Sequence, residues 1–314
     1  MAKKSNLTLE KMPSRPTLFR IRIVDAQSYA LVRQGISRLK PVLWLRDARK
    51  VSRITQAQTP EDVLDLAPLA TGLGELAWHE QMRKFGQEVL PFIAAAIRQV
   101  MRVKDETLRD RSLAHMIAEL RWREEAGAGV LLEHFSELDE SGKSLACVAL
   151  GLLGTQAATD TIWEYYLEVI PDREAGNFIG ALWGLVDLQD ARAAGALAGL
   201  LADGYFFYEL FGLLARAGDA RAVIPLLELA PGLQEEDRMD PMLALVGIAH
   251  RIGREALVAE IERRAMGEES RKEYESLADL VLSKPASLSR EYFSVFYRGF
   301  DPGDVAGAFD RLAP

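Results

Sequence analysis

The sequence is poor in the residue types from which metal and redox sites are usually built. Its 314 residues include one cysteine and four histidines. A single cysteine forms no internal disulfide, and Cys147 lies in an apolar helical pattern that favours a small buried side chain over a reactive thiol. No apolar run approaches the roughly 20 residues that span a bilayer, and no secretory-signal pattern follows the charged start of the chain. We therefore expect a cytoplasmic protein without a membrane span.

The sequence also lacks the common motifs of catalysis and cofactor binding. Residues 141–144 resemble the end of a phosphate-binding loop, but Glu137 stands where that loop needs a glycine, so a helix start fits better. No histidine lies three or four residues from another, and the single dyad of His79 and Glu80 is not enough for a metal site. Neither a nucleophile elbow nor a glycine-rich dinucleotide loop is present. The sequence thus predicts no catalytic residue, no cofactor and no metal.

Charge is distributed unevenly along the chain. The net charge is −8, yet residues 1–60 carry 13 basic and 3 acidic residues, whereas the remainder carries 25 basic and 43 acidic ones. Opposite charge on two parts of one chain indicates an electrostatic role for the basic part. That part either docks on the acidic body or faces an acidic partner.

The centre of the chain contains an internal repeat. Gly151, Gly184, Gly212 and Gly247 each interrupt an apolar helical segment, and they are 33, 28 and 35 residues apart. Glycine inside a helix costs about 1 kcal/mol relative to alanine, so its recurrence needs a cause. We expect each glycine to allow the close approach of a neighbouring helix.

A short turn and a second amphipathic helix follow each glycine-containing helix. Two of these turns share the tripeptide Asp-Ala-Arg, at residues 190–192 and 219–221. Aspartate at such a position accepts hydrogen bonds from free backbone N–H groups of the helix start. Weaker copies of the pattern run over residues 112–135 and 89–100. The sequence therefore predicts consecutive helical pairs.

The repeat resembles the HEAT-like repeats of the phycobilisome-lyase type. The best copy runs from Leu213 to Leu227 and contains Gly-Asp-Ala-Arg-Ala-Val at residues 218–223. The resemblance covers roughly residues 85–265. It implies an all-α, right-handed α-solenoid of HEAT-like helical pairs with atypical N- and C-terminal caps. It also implies that aspartates and arginines near the turns stack in ladders between repeats, which here would be Asp190, Arg192, Asp219 and Arg221.

Four regions follow from this interpretation. Residues 1–26 form a flexible or extended basic arm, in which residues 19–23 alternate like a short strand. Residues 27–84 form an N-terminal helical cap, residues 85–265 carry the repeats, and residues 266–314 form a C-terminal cap. Stacked pairs bury a continuous core and leave a curved surface that suits partner binding.

Two kinds of surface residue are candidates for contacting a partner. Basic residues at positions i, i+3, i+4 and i+7 line one helix face and suit phosphate contacts. Aromatic residues cluster at Trp163, Tyr165 and Tyr166, and again at residues 205–208. Such neighbours cannot all face one core, because successive helical residues point about 100° apart, so at least one ring in each cluster should be partly exposed. The candidate residues are Arg46, Arg49, Lys50, Arg53, Tyr165, Tyr166, Tyr205 and Tyr208.

Three functions remain open from the sequence. The first is a non-catalytic scaffold that presents a solenoid surface to a protein or peptide. The second is nucleic-acid binding through the basic N-terminal region, which the acidic repeats disfavour. The third is a bilin lyase or chaperone-like role, which the family resemblance alone implies.

Overall fold

The computed structural model describes residues 49–71, 73–206, 208–233, 238–264 and 268–293. Every regular element within these ranges is helical, which confirms the predicted all-α class for the described part of the chain. Among the described helices, none combines the length and the apolar character needed to cross a bilayer. The predicted basic arm, its alternating segment and residues 27–48 lie outside the described residues.

The described residues divide into two compact units, and the division falls between Ala181 and Leu182. We call residues 49–181 the N-terminal unit and residues 182–293 the C-terminal unit. The division lies inside a helix, Phe178–Asp187, and within the range predicted to carry the repeats.

Helical residues 49–55 open the N-terminal unit. Its further helices are α1 (Pro60–Asp65), α2 (Leu73–Arg83), α3 (Leu90–Val100), α4 (Glu106–Trp122), α5 (Glu124–Glu133), α6 (Glu140–Leu152) and α7 (Thr159–Val169). Short 3-10 turns occupy Ala67–Leu69, Gly86–Val89, Phe135–Glu137 and Gln156–Ala158. Helix α8 (Phe178–Asp187) contains the division.

Capping residues explain several helix starts in this unit. The side chain of Thr59 accepts a hydrogen bond from the backbone N–H of Asp62 at 3.2 Å, and Pro60 occupies the first turn of α1, as predicted. Asp139 accepts from the backbone N–H of Gly142 at 2.9 Å. Residues 141–144 are therefore the first turns of α6, which confirms the helix-start interpretation.

Helix α4 is the centre of the N-terminal unit. Its residues from Ser112 to Arg121 are all buried, so the helix is covered on every side. Helices α3, α5 and α6 each pack against it, and α3 also contacts α5. A helix covered all round needs several neighbours to bury it, and these three supply them. Cys147 of α6 is fully buried, and burial raises the pKa of its thiol, as expected of a core side chain.

The C-terminal unit continues with α9 (Ala191–Ala202), α10 (Tyr208–Ala217), α11 (Val223–Leu229), α12 (Met239–Arg264), α13 (Glu268–Ser283) and α14 (Ala286–Tyr292). Short 3-10 turns occupy Ala220–Ala222 and Ala230–Gly232. Gly253 has φ 82° and ψ 166°, so α12 consists of two helical halves joined at this residue. A positive φ of this kind suits glycine, which has no Cβ to clash.

Neighbouring helices in this unit approach closely where small residues face each other. Helix α10 packs on α12, and α9 packs on both α10 and α11. A Cβ added to Gly247 of α12 would lie 2.8 Å from the carbonyl oxygen of Ala215 in α10. The expected reason for a repeated glycine, close approach of a neighbouring helix, is confirmed at this position.

Candidate functional site

Of the basic residues predicted to line one helix face, Arg46 lies outside the described residues. The others are Arg49, Lys50 and Arg53. Arg49 and Arg53 are exposed and form no ion pair within the described part of the chain. Lys50 is half-buried, and its Nζ atom donates to the Thr71 hydroxyl at 2.6 Å. The exposed basic surface is therefore formed by Arg49 and Arg53, one helical turn apart.

The first aromatic cluster lies mainly in the core. Tyr165 is 2% exposed and Tyr166 is 6% exposed. The Tyr165 hydroxyl donates to the carbonyl oxygen of Glu140 at 2.7 Å, and Trp163 stacks on Tyr166 with ring centroids 5.2 Å apart. Burial raises the pKa of Tyr165. Trp163 is half-buried, as expected of at least one ring in the cluster, and we do not include the two tyrosines in a partner-binding surface.

The second aromatic cluster is described only in part. Tyr205 and Phe206 are half-buried, and Phe206 stacks on Phe211 with ring centroids 6.5 Å apart. Phe207 and the side chain of Tyr208 lie outside what the structure describes. Tyr205 therefore remains the candidate contact residue of this cluster.

The two Asp-Ala-Arg turns form compact bidentate ion pairs. Asp190 accepts from the backbone N–H of Arg192 at 2.7 Å and from its guanidinium Nη2 at 2.7 Å. The hydrogen bond from Arg192 lowers the pKa of Asp190. Asp219 and Arg221 repeat this arrangement, with Nη2 to Oδ2 at 2.5 Å. Aspartate and arginine thus pair within one turn.

Two other contacts connect successive pairs in the C-terminal unit. A Cβ added to Gly195 of α9 would lie 2.7 Å from Nη1 of Arg221, so the guanidinium rests on the preceding second helix. Arg216, near the end of α10, pairs with Asp187 at the end of α8 at 2.5 Å. Arg221 therefore contacts the preceding pair, and the ion pair between successive pairs is formed by Arg216 and Asp187, which were not among the residues of the expected ladder.

An exposed acidic stripe runs along α7 in the N-terminal unit. Asp160, Glu164 and Glu168 are exposed, and their spacing of four residues places them within about 80° on one face of the helix. Leu167, which flanks the stripe, is 53% exposed. Glu168 approaches Nζ of Lys143 at 3.8 Å but keeps 64% of its side chain exposed. We call these four residues, from Asp160 to Glu168, the α7 stripe.

A buried polar cluster lies between α2 and α4. Ligand atoms of Glu75, His79 and His115 lie within 4.8 Å of one another. Both histidines are 2% exposed, and Glu75 is half-buried. The imidazole rings are 5.5 Å apart between centroids.

Both imidazoles of this cluster are fixed by a hydrogen bond at one nitrogen. Nδ1 of His79 lies 2.5 Å from Oε1 of Glu119, which is fully buried. Nε2 of His115 lies 2.7 Å from the carbonyl oxygen of Ala70. Burial, together with the neighbouring His79, lowers the pKa of His115 to about 3, so its ring is neutral at pH 7.

Aromatic and cationic groups surround the cluster. The Trp78 ring lies 5.1 Å from His79 and 5.6 Å from His115, and the Trp122 ring lies 5.3 Å from His79, all between centroids. Nη2 of Arg123 donates to Oε2 of Glu119 at 3.2 Å and to the carbonyl oxygen of Met82 at 2.9 Å. The Glu119 side chain thus lies between His79 and Arg123 and contacts both.

Sequence reasoning missed this cluster because it looked for two histidines on one helix. The signal that could have found it is the presence of two glutamate–histidine pairs, Glu75 with His79 and His115 with Glu119. The two members of each pair are four residues apart. Such spacing places both members of a pair on one helix face. Joining the pairs needs the packing of α2 beside α4, which a local pattern does not contain.

Comparison with known proteins gives no match to this chain, whether against protein-family models, curated proteins or solved structures. The HEAT-like resemblance therefore rests on the residues of the repeat alone.

Proposed function

We propose that this protein is a binding scaffold, built as an α-solenoid of HEAT-like helical pairs, and that it holds a basic segment of a protein partner. The observation that carries the proposal is the α7 stripe, which exposes three carboxylates and a leucine on one helix face.

The contacts inside each unit support the stacking of pairs. In the N-terminal unit, α4 packs on α6 and α3 packs on α5. In the C-terminal unit, α10 packs on α12 and α9 packs on α11. First helices thus contact first helices, and second helices contact second helices, which is the arrangement expected of stacked helical pairs.

The α7 stripe is mounted on a firmly anchored helix. Ile162, Tyr165, Tyr166 and Val169 are buried on the opposite side of α7 and hold it against the unit. A partner therefore meets a surface whose backbone is already ordered, so little conformational entropy is lost on that side when it binds.

The chemistry of the stripe selects its partner. Three carboxylates within two helical turns attract lysine and arginine and repel nucleic acid. The exposed Leu167 adds an apolar contact beside Glu164. A segment that presents basic residues together with a large apolar side chain satisfies both features.

Binding of a labelled Lys/Arg/Leu peptide, measured by fluorescence polarisation at several salt concentrations, tests the proposal. We expect saturable binding by the wild-type chain and at least tenfold weaker binding after Asp160→Lys, Glu164→Lys and Glu168→Lys are combined. The matched control combines Glu124→Lys, Glu125→Lys and Glu133→Lys on α5, which are exposed acids of the same unit. Equal loss in both variants, or no binding by the wild type, contradicts the proposal.

Nucleic-acid binding is a second candidate function, favoured by the exposure of Arg49 and Arg53. A gel shift at low salt that weakens in Arg49→Ala/Arg53→Ala, with a reduced slope of affinity against salt concentration, supports this alternative. No shift at low salt eliminates it.

A further inference from the structure

The polar cluster between α2 and α4 has a composition and geometry that the scaffold function does not require. We propose that Glu75, His79 and His115 bind a divalent transition-metal ion through two imidazole nitrogens and one carboxylate oxygen.

Hydrogen bonds assign the ligand nitrogen on each imidazole. A backbone carbonyl only accepts, so Nε2 of His115 carries the proton that it donates to Ala70, and Nδ1 keeps its lone pair. The carboxylate of Glu119 also accepts, so Nδ1–H of His79 donates to it, and Nε2 is the nitrogen left to face a metal. Each histidine thus has one nitrogen available for a metal and a partner that orients the ring, as in most metal-ligating histidines.

The lone pair of His115 has no hydrogen-bond partner among the described residues, although the side chain is 2% exposed. A buried polar atom without a partner lowers stability, so such atoms are rare in folded proteins. A metal ion bound at Nδ1 supplies the missing interaction. His115, which carries this orphaned nitrogen, belongs to the same cluster as His79 and Glu75.

The distances allow ligation after a small movement. The ligand atoms lie within 4.8 Å of one another, whereas a tetrahedral site with bonds of about 2.1 Å separates its ligands by roughly 3.4 Å. Ligation therefore requires the half-buried Glu75 side chain on α2 to move closer to the two imidazoles, whose rings are held by hydrogen bonds. Two imidazoles and one carboxylate suit Zn²⁺ or Fe²⁺ and leave coordination positions open.

The surroundings match those of known metal centres. Glu119 holds His79 and is itself held by Arg123, so the second layer of the site is already hydrogen-bonded. Trp78 and Trp122 lie against the histidine rings and restrict water there. Glu75 is less buried than either histidine, so it is the proposed ligand nearest to solvent.

The experiment uses the full chain, stripped with a chelator and dialysed. Co²⁺ is titrated and followed by its visible absorption, and Zn²⁺ affinity is measured by competition with a chromogenic chelator. We expect one equivalent of each ion to bind to the wild type, at least 100-fold weaker binding in His115→Ala, and 10- to 100-fold weaker binding in Glu119→Gln, which removes the support of His79. Zn²⁺ should also raise the melting temperature of the wild type.

His134→Gln is the matched control, because His134 is also buried in the N-terminal unit but lies at the end of α5, beside Glu137. It should keep wild-type affinity for Co²⁺ and Zn²⁺. The proposal is wrong if the wild type binds no stoichiometric ion, or if His134→Gln loses affinity as strongly as His115→Ala.

Two measurements keep the test decisive if the buried variants do not fold. Glu75→Gln replaces a half-buried side chain, and circular dichroism should show a wild-type fold with weakened metal binding. X-ray absorption of the wild type with Zn²⁺ should show two imidazole ligands and no sulfur. Wild-type affinity in folded Glu75→Gln, or a spectrum without imidazole, overturns the proposal.

Discussion

Nδ1 of His79 lies 2.5 Å from Oε1 of Glu119, and both side chains are buried. The residues are 40 positions apart in sequence, on α2 and α4, so this contact fixes how two helices of the N-terminal unit meet. Since the other oxygen of Glu119 accepts from Arg123, one buried side chain joins His79 and Arg123.

Replacing Glu119 with alanine should strongly destabilise the metal-free protein. The change leaves Arg123 as a buried charge without its carboxylate, which typically costs about 3–5 kcal/mol. Urea unfolding in the presence of a chelator measures the loss. The exposed control Glu133→Ala should stay within about 0.5 kcal/mol of the wild type.

Removing both partners should cost less than the two single changes together. In a double-mutant cycle with Arg123→Met, the second change removes the charge that the first left unpaired, so the two effects are not additive. A Glu119→Ala variant as stable as Glu133→Ala would show that the network contributes nothing to the fold.

Close packing between α6 and α8 predicts that adding a side chain at Gly180 lowers the stability of the protein. A Cβ added to Gly180 would lie 2.3 Å from the carbonyl oxygen of Ser144, which is backbone and cannot rotate away. Gly180→Ala should therefore destabilise the protein by about 1–3 kcal/mol, the usual cost of overpacking.

Gly129 provides the matched control for that substitution. It lies inside α5, is exposed, and a Cβ added there would have no atom within 4 Å. Gly129→Ala should stabilise the protein by about 0.5–1 kcal/mol, because alanine loses less freedom in a helix. If urea unfolding showed that both substitutions change the free energy of unfolding in the same direction, the packing argument would be wrong.

The helices could be predicted from sequence because their signals are local. Thr59, Asp139 and Asp190 each precede a helix and accept the hydrogen bond that a capping residue is expected to accept. The apolar segment around Gly247 forms a helix, and its neighbour Ala215 lies close enough to explain the glycine.

The buried cluster could not be predicted in the same way. The spacings of Glu75 with His79 and of His115 with Glu119 look like ordinary helix-surface pairs until α2 and α4 are placed side by side. Tyr165 and Tyr166 show the opposite difficulty. The sequence placed both among the candidate contact residues, yet the core buries both, and the partly exposed ring of the cluster is Trp163.

Cys147 should be inert toward thiol reagents in the folded protein. Burial raises the pKa of its thiol, and the thiolate is the reactive species. A colorimetric thiol assay should detect no free thiol under native conditions and one per chain in concentrated urea. Rapid native labelling, at a rate close to that of the unfolded chain, would mean that α6 opens readily.

Glu209 should make stability depend on pH. It is 3% exposed, its Oε2 atom has no hydrogen-bond partner among the described residues, and burial raises its pKa to about 7 from an ordinary 4.5. Between these two values the folded state holds a proton that the unfolded state has released. The stabilisation that this proton gives is therefore complete below pH 4.5 and is lost as pH rises from 4.5 to 7. The free energy of unfolding falls by about 3 kcal/mol over this range and changes no further above pH 7.

Glu209→Gln removes the titrating group and keeps its shape. Relative to the wild type, the variant should gain stability as pH rises from 4.5 to 8, because it no longer ionises a buried carboxyl. Urea unfolding at both pH values measures the difference, and comparison of the two proteins cancels every other titrating group. The exposed control Glu228→Gln should follow the wild-type pH profile. A constant difference between Glu209→Gln and the wild type across this range would show that Glu209 is ionised at little cost in the fold.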